Sequence, residues 1–275
     1  MFGGQSDNTK RLYLSNLTRL NDGVEPTDTK FLKKSKLILE RIAAMPNRNT
    51  ARTYLIAVVS AVKKDPKLYA AYYPELVKLN AELKTNTGKS EKQVENWLPW
   101  SEVLAIQAAY VAPKKKQWTD LEYNSFLAHA ILSLYTLLPP RRCLDYTLMK
   151  WGMPDDTNFN YFDKGKFTFS NYKTKGTYKT VQVDVPPELQ AILKTLRKHS
   201  FGTVWMLADT VGEPLNSVKM GRILNKIFGK KVSVSMLRNI FLTDKFAPAA
   251  KELAEATAAM GTSSNTAMNQ YIKTT

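Results

Sequence analysis

The stretch LPPRRCLDYTLMKW, residues 138–151, decides how this chain is read. Pro139 and Pro140 end a strongly apolar run, and two adjacent arginines, Arg141 and Arg142, come before Asp145 and a new apolar pattern. A guanidinium is planar, permanently charged and able to place two parallel N–H donors on phosphate oxygens. An arginine at the start of a helix, paired to Asp145, is the structural alternative, so its meaning depends on the company it keeps.

Three further segments supply that company. Residues 166–173 (KFTFSNYK) and 178–185 (YKTVQVDV) alternate in strand fashion, and the TKGT turn between them contains Gly176. Lysines lie at 173 and 175 in this basic hairpin. The segment SMLRNIFLT, 235–243, reads as an amphipathic helix, with Met236, Leu237, Ile240 and Phe241 facing a core while Arg238 projects. MGTSSNTAMNQY, 260–271, ends in Tyr271.

Bulk properties agree with a polyanionic partner. The chain has 275 residues, enough for two modest domains. Its 40 Lys+Arg against 24 Asp+Glu give a net charge of +16. Hydrophobic content of 44% fits a globular protein rather than a disordered one. Cys143 is the only cysteine, which excludes an internal disulfide and fits a reducing compartment. His129 and His199 are the only histidines, so no His/Cys zinc cluster is expected. His129 reads as a packed histidine inside the helix expected over 119–138. No apolar run reaches the ~18–20 residues of a membrane span. A soluble, intracellular protein with no membrane partner is the expectation.

The N-terminal part reads as helical, with helices over about 8–20, 28–44, from 49 onward, and 68–83, the last broken at Pro74. NTKRLYL at 8–14 and NTARTYL at 49–55 share Asn, Thr, Arg, Tyr and Leu in register. Helix starts of this kind can grip phosphates through free backbone N–H groups. Lys10, Arg48 and Arg52 are therefore candidate DNA-backbone contacts, while Tyr13 and Tyr54 are expected in the core. Residues 84–96 are polar and aperiodic and read as a linker. Beyond it come helices over 119–138, from Pro187 to His199, 214–228, 235–246, 248–259 and 264–273, with a short strand over 203–207.

The ordered motifs resemble those of the tyrosine recombinase (phage integrase) family. That family's catalytic arginine is followed by an acidic residue three positions on, an apolar one at seven and often tryptophan at nine. Counting from Arg142 finds Asp145, Met149 and Trp151, whereas counting from Arg141 finds Leu144, Leu148 and Lys150. The resemblance thus implies Arg142 as the catalytic arginine and Arg141 as a neighbouring backbone contact. It implies Lys173 as the hairpin lysine that protonates the leaving oxygen, with Lys175 as the fallback. SMLRNIFLT is similar to the family's His-x-Leu-Arg-His box, matching at Leu237 and Arg238 and departing at Ser235 and Asn239. MGTSS is similar to Leu-Gly-His-Ser-Ser, with Thr262 at the histidine place and Tyr271 nine residues beyond it, where the nucleophile belongs.

The resemblance implies a mainly α fold with a small antiparallel β-sheet in the C-terminal domain. A SAM-like helical core-binding domain (1–83), a linker (84–96) and a catalytic domain (97–275) would form a C-shaped clamp on double-stranded DNA. The implied activity is site-specific strand cleavage and rejoining through a 3′-phosphotyrosyl intermediate, without metal, ATP or cofactor, by a tetramer on two duplexes in a mobile-element setting. Serine and threonine donate hydrogen bonds but are neither useful acids nor useful bases near neutral pH. Ser235 and Thr262 therefore predict slow chemistry or dependence on assembly. In many relatives a longer tail comes after the tyrosine and docks on a neighbour; here only Ile272–Thr275 remain, so that contact is expected to be absent or replaced. The competing expectations are a DNA-binding descendant without cleavage, a type IB topoisomerase-like enzyme, and a basic helical scaffold.

Overall fold

Short capping side chains set the first helices. Ser6 Oγ accepts from the Thr9 N–H to open α1 (Asp7–Leu20), and Asn47 does the same for Thr50 at α3 (Arg48–Val62). Both helices begin earlier than their Asn-Thr pairs. A computed structural model describes residues 2–85, 88–156 and 158–273 and divides into two compact units, Met1–Lys89 and Ser90–Thr275. Of the stretch expected as a linker, residues 86 and 87 lie outside the described residues, as do 274 and 275 of the tail.

The first unit is built from α1, α2 (Ser35–Ala43), α3 and α4 (Pro66–Thr85), with one 3₁₀ turn at Lys30–Lys33 where a continuous second helix was expected. Leu17, Leu32, Val58 and Tyr72 are at or near zero exposure and form its centre. Tyr72 Oη donates to the Leu32 carbonyl, so its one polar atom is satisfied inside the core. Tyr54 is buried and accepts from Arg19, and Tyr13 packs at the core's margin, as expected for both. Leu12 and Leu37 are exposed. Pro74 lies inside α4 without ending it, contrary to the sequence expectation.

The second unit begins with α5 (Glu91–Asn96), a short helix inside the stretch expected as linker, opened by a reciprocal capping box between Ser90 and Gln93. Asn96 ties it to this unit by accepting from the Lys231 N–H. After α6 (Trp100–Ala108) comes α7 (Asp120–Thr136), capped by Thr119 with Glu122 returning the bond. Nine of its residues are buried, Phe126, Leu127, Ile131 and Leu134 among them, because α6, α10 (Pro187–His199) and α11 (Ser217–Phe228) pack around it. A helix apolar on nearly every face is stable only as such a central element.

The sheet corrects the sequence reading: it is mixed, not antiparallel. Its order is β1 (Lys150–Trp151), β2 (Tyr161–Asp163), β3 (Lys166–Phe169), β4 (Val181–Asp184), with β1 parallel to β2 and the other pairs antiparallel. The β2–β3 hairpin turns on Lys164 and Gly165, both at positive φ. At Gly165 a Cβ would also press on the Gln190 side chain at 3.0 Å. The strand expected over 203–207 is a short antiparallel contact on β1: Trp151 N donates to Val204 O, and Met206 N to Met149 O. The strands expected over 166–173 and 178–185 are shorter, and a helical turn, α9 (Lys175–Tyr178), replaces a tight β-turn between them. The two helices expected over 235–246 and 248–259 are one, α12 (Val234–Ala259), which runs through Pro248.

Leu127 is enclosed on all sides at the centre of α7, so Leu127→Ala leaves a cavity. It should cost about 2–5 kcal/mol, seen in urea as a lower midpoint with an unchanged slope.

Candidate active site

The Pro-Pro-Arg-Arg segment leaves α7 and runs into α8 (Leu144–Thr147), a single helical turn. Its side chains line one wall of a cleft of about 450 Å³ that also receives Arg238 from α12 and Tyr172 and Tyr178 from the β3–β4 connection. Arg141, Arg142 and Arg238, separated by almost a hundred positions in sequence, thus share one concave surface.

The three arginines are held differently. Arg141 is locked: its Nε donates to Asp145 Oδ2 at 2.9 Å, and its guanidinium stacks 3.7 Å from the centre of the Phe169 ring, with Tyr172 at 5.3 Å. Arg238 is anchored at one edge, its Nε donating to the Pro140 carbonyl at 3.1 Å. Arg142 makes no side-chain hydrogen bond or ion pair among the described residues and is half-buried in the cleft wall. The spacing match pairs Asp145 with Arg142, but the turn into α8 brings Asp145 onto Arg141 instead. Arg142 and the outer nitrogens of Arg238 and Arg141 make no side-chain hydrogen bond among the described residues and are left to bind an anion, Arg141 being the one already paired with a carboxylate.

Asp145 is 2% exposed. Burial raises its carboxyl above the ordinary range, and Arg141, then Arg142, counter that rise. The same low-dielectric floor pushes the phenols of Tyr135 and Tyr146 far up. Tyr146 lines the cleft yet is therefore no candidate nucleophile.

Asn160 joins this floor to the sheet. Its amide donates to the carbonyls of Asp145 and Asn171, and its Oδ1 accepts from the N–H groups of Ser170 and Asn171. By capturing those two N–H groups it ends β3 at Phe169 and turns the chain into the loop that carries Lys173. Tyr172 Oη donates to Lys179 O at 2.8 Å and closes the base of that loop. Neither Asn160 nor Tyr172 stood out in the sequence; only the i, i+4 spacing of Arg141 and Asp145 was countable there.

The other residues singled out in the sequence are more dispersed. Lys173 is exposed in the loop, between the cleft-lining Tyr172 and Thr174, and Lys175 is exposed at the start of α9. Ser235 is exposed in the first turn of α12. Thr262 is half-buried and its N–H donates to Thr257 O. Tyr271 ends a π-helical turn, is 59% exposed, and is not among the residues lining the cleft. In the first unit, Lys10 pairs with Asp7, Arg48 makes a two-pronged bond to Glu82, and Arg52 Nε donates to Asn80. His129 stacks on Tyr110 with ring centres 4.3 Å apart, and burial lowers its pKa, consistent with a packed histidine.

No family model matches the sequence, and no curated protein matches it. Among solved structures the chain is similar to lambda integrase residues 75–356 bound to DNA, with a TM-score of 0.51 and 16% identity, covering 89% of this chain and 82% of that one. It is similar to the dimer of the same fragment on a COC′ core site, at 0.50 and 17%, over 88% and 84%. A lambda integrase dimer on that site matches at 0.50 and 16%, over 99% and 75%. The fold is similar to that of lambda integrase.

The Arg141–Asp145 pair has a signed pH dependence. A carboxyl whose folded pKa is raised lends stability below its unfolded pKa and loses it as pH rises through the folded one. Arg141→Met keeps the apolar contact with Phe169 but removes the counter-charge, so Asp145 should shift further upward. The variant's loss of stability should be larger at about pH 8 than at about pH 5, approaching ~3 kcal/mol at the higher pH. Urea titrations at both values measure it.

Proposed function

We propose that this chain is a DNA strand transferase that cleaves and rejoins duplex DNA through a 3′-phosphotyrosyl intermediate on Tyr271. One observation carries the reading: Arg142 and Arg238 converge in a single cleft, with anion-binding nitrogens unclaimed by protein, in a tyrosine-recombinase fold.

In this reading the scissile phosphodiester sits against Arg142 and Arg238, which hold its non-bridging oxygens and meet the charge that builds on the phosphorane-like transition state. The Tyr271 phenol gives its proton to solvent and its oxygen bonds to phosphorus. The bond from phosphorus to the 5′ oxygen breaks, the electron pair leaves on that oxygen, and the Lys173 ammonium protonates it. The products are a phosphotyrosine on the 3′ end and a free 5′ hydroxyl. Attack by a 5′ hydroxyl reverses the step, so the bond energy is conserved and no nucleotide cofactor is needed. Ser235, and Thr262 on the same arm as Tyr271, act as hydrogen-bond donors to the phosphate where relatives of this fold carry histidines, Thr262 arriving with whichever arm delivers the tyrosine. The helical unit Met1–Lys89 serves as the SAM-like core-binding domain, with Lys10 among its backbone contacts, and exchange takes place in a tetramer on two duplexes. Arg141, locked to Asp145, positions the segment instead of contacting DNA.

A second reading, a DNA-binding protein without cleavage, is favoured by two facts: Tyr271 does not line the cleft, and neither histidine place holds an acid or base.

A nicked suicide substrate separates the two. The wild type should accumulate a covalent protein–DNA adduct whose modified peptide contains Tyr271, and Tyr271→Phe should give none. Arg142→Ala should lower the rate by about 10²–10³-fold. No adduct across varied target sequences rules out the strand-transferase reading, and an adduct mapped to Tyr178, which does line the cleft, rules out the assigned nucleophile. DNA affinity should also fall tenfold or more between ~50 and ~200 mM salt, measured by anisotropy.

A further inference from the structure

The position of Tyr271 has a cause in the length of α12. This helix is 26 residues long, and its buried residues are Val234, Met236, Leu237 and Ile240 near the start, then Thr257 near the end. Phe241 packs edge-on against Trp100, and from Leu242 to Ala256 the helix is exposed except at half-buried Leu253. The tail folds back only on the far end: Thr262 N donates to Thr257 O, Thr257 and Ser264 share a hydroxyl bond of 3.1 Å, and Ala267 is 4% exposed.

Helix geometry fixes the consequence. Arg238 is in the cleft wall, and Thr257 lies about 28 Å further along the axis at ~1.5 Å per residue. Ser264–Tyr271 is wound into helical turns, which can return at most about 10 Å. The backbone of Tyr271 therefore stays ~18 Å or more from that of Arg238 along the axis, at or beyond the combined reach of the two side chains with a phosphate between them, and Tyr271 does not line the cleft. A proline bend at Pro248 tilts a helix but does not fold it back.

The exposed arm is also chemically unlike the rest of the chain. From Leu242 to Lys273 the charges cancel, Lys245, Lys251 and Lys273 against Asp244, Glu252 and Glu255, in a protein of net charge +16. Leu242, Phe246 and Met260 are 50%, 47% and 67% exposed. A neutral arm with exposed apolar residues suits a protein surface better than a phosphate backbone.

We infer that the arm docks on a second copy of this chain and that each arginine cleft receives its nucleophile from that copy, so that the partner's Tyr271 attacks the phosphate held by Arg142 and Arg238. This rests on the strand-transferase reading above, and the bonds made and broken are the same; only the chain that becomes attached to DNA changes. A single copy has an incomplete site, which matches the expected dependence on assembly.

Complementation tests it with the full chain. Tyr271→Phe keeps an intact cleft without a nucleophile, and Arg142→Ala, which breaks no side-chain hydrogen bond or ion pair among the described residues and leaves the Arg141–Asp145 pair in place, keeps the nucleophile without a working cleft. Mixed in equal amounts on a suicide substrate with paired sites, the two should recover about a quarter of the wild-type adduct, because one interface in four joins an intact cleft to a donor arm in a closed ring or dimer. With a size tag on the Arg142→Ala chain, the adduct should run at the tagged size. A wild type that forms adduct while the mixture gives no more than either variant alone overturns the inference and leaves the strand-transferase reading standing. Wild type without any adduct overturns both.

Discussion

The ion pair between Arg141 and buried Asp145 is the contact on which the cleft depends. Asp145 sits at a place where burial opposes its charge, and the guanidinium that answers it is itself stacked on Phe169 of β3. One interaction thus joins the segment leaving α7 to the sheet. Its backbone neighbour, Pro140, then offers the carbonyl that anchors Arg238 from α12. Removing a charge from such a pair costs more than the pair itself contributes, because the remaining charge is stranded. Arg142 gains from the arrangement without joining it: its backbone is held on both sides while its guanidinium stays unclaimed.

The lysine loop hangs from the same framework. Asn160 satisfies two backbone N–H groups and two carbonyls at once, so the sheet ends where the loop must begin. Tyr172 both faces Arg141 and closes the loop through Lys179. Lys173 is therefore exposed on a loop whose two ends are fixed, which fits the leaving-group role proposed for it.

Much of the helical plan was legible, because capping residues and apolar periods are local: the start of the helix expected over 119–138, Pro187 as a helix start and the stripe Met236, Leu237 and Ile240 all appear in the structure where the sequence placed them. The misreadings share a cause. Pro74 and Pro248 read as breaks because proline costs a helix one hydrogen bond and some crowding, yet both helices run through. The long strands over 166–173 and 178–185 read correctly as alternating, but Asn160, a distant side chain, takes the N–H groups that would have extended the ladder. The parallel pairing of β1 with β2 has no local signature at all.

The sequence alone determined which residue types exist at which spacing: an arginine pair before an acidic residue, a second arginine on an amphipathic helix, a lysine hairpin, a terminal tyrosine, and hydroxyls where an acid or base would be expected. These are matters of covalent order. The tertiary structure alone decided which arginine is ion-paired and which is not, since adjacent side chains ahead of α8 point in different directions and only packing shows which one faces the buried carboxylate. It also decided that Tyr271 sits at the far end of a long arm, away from the arginine cleft, because sequence separation says nothing about distance once a helix holds its rise.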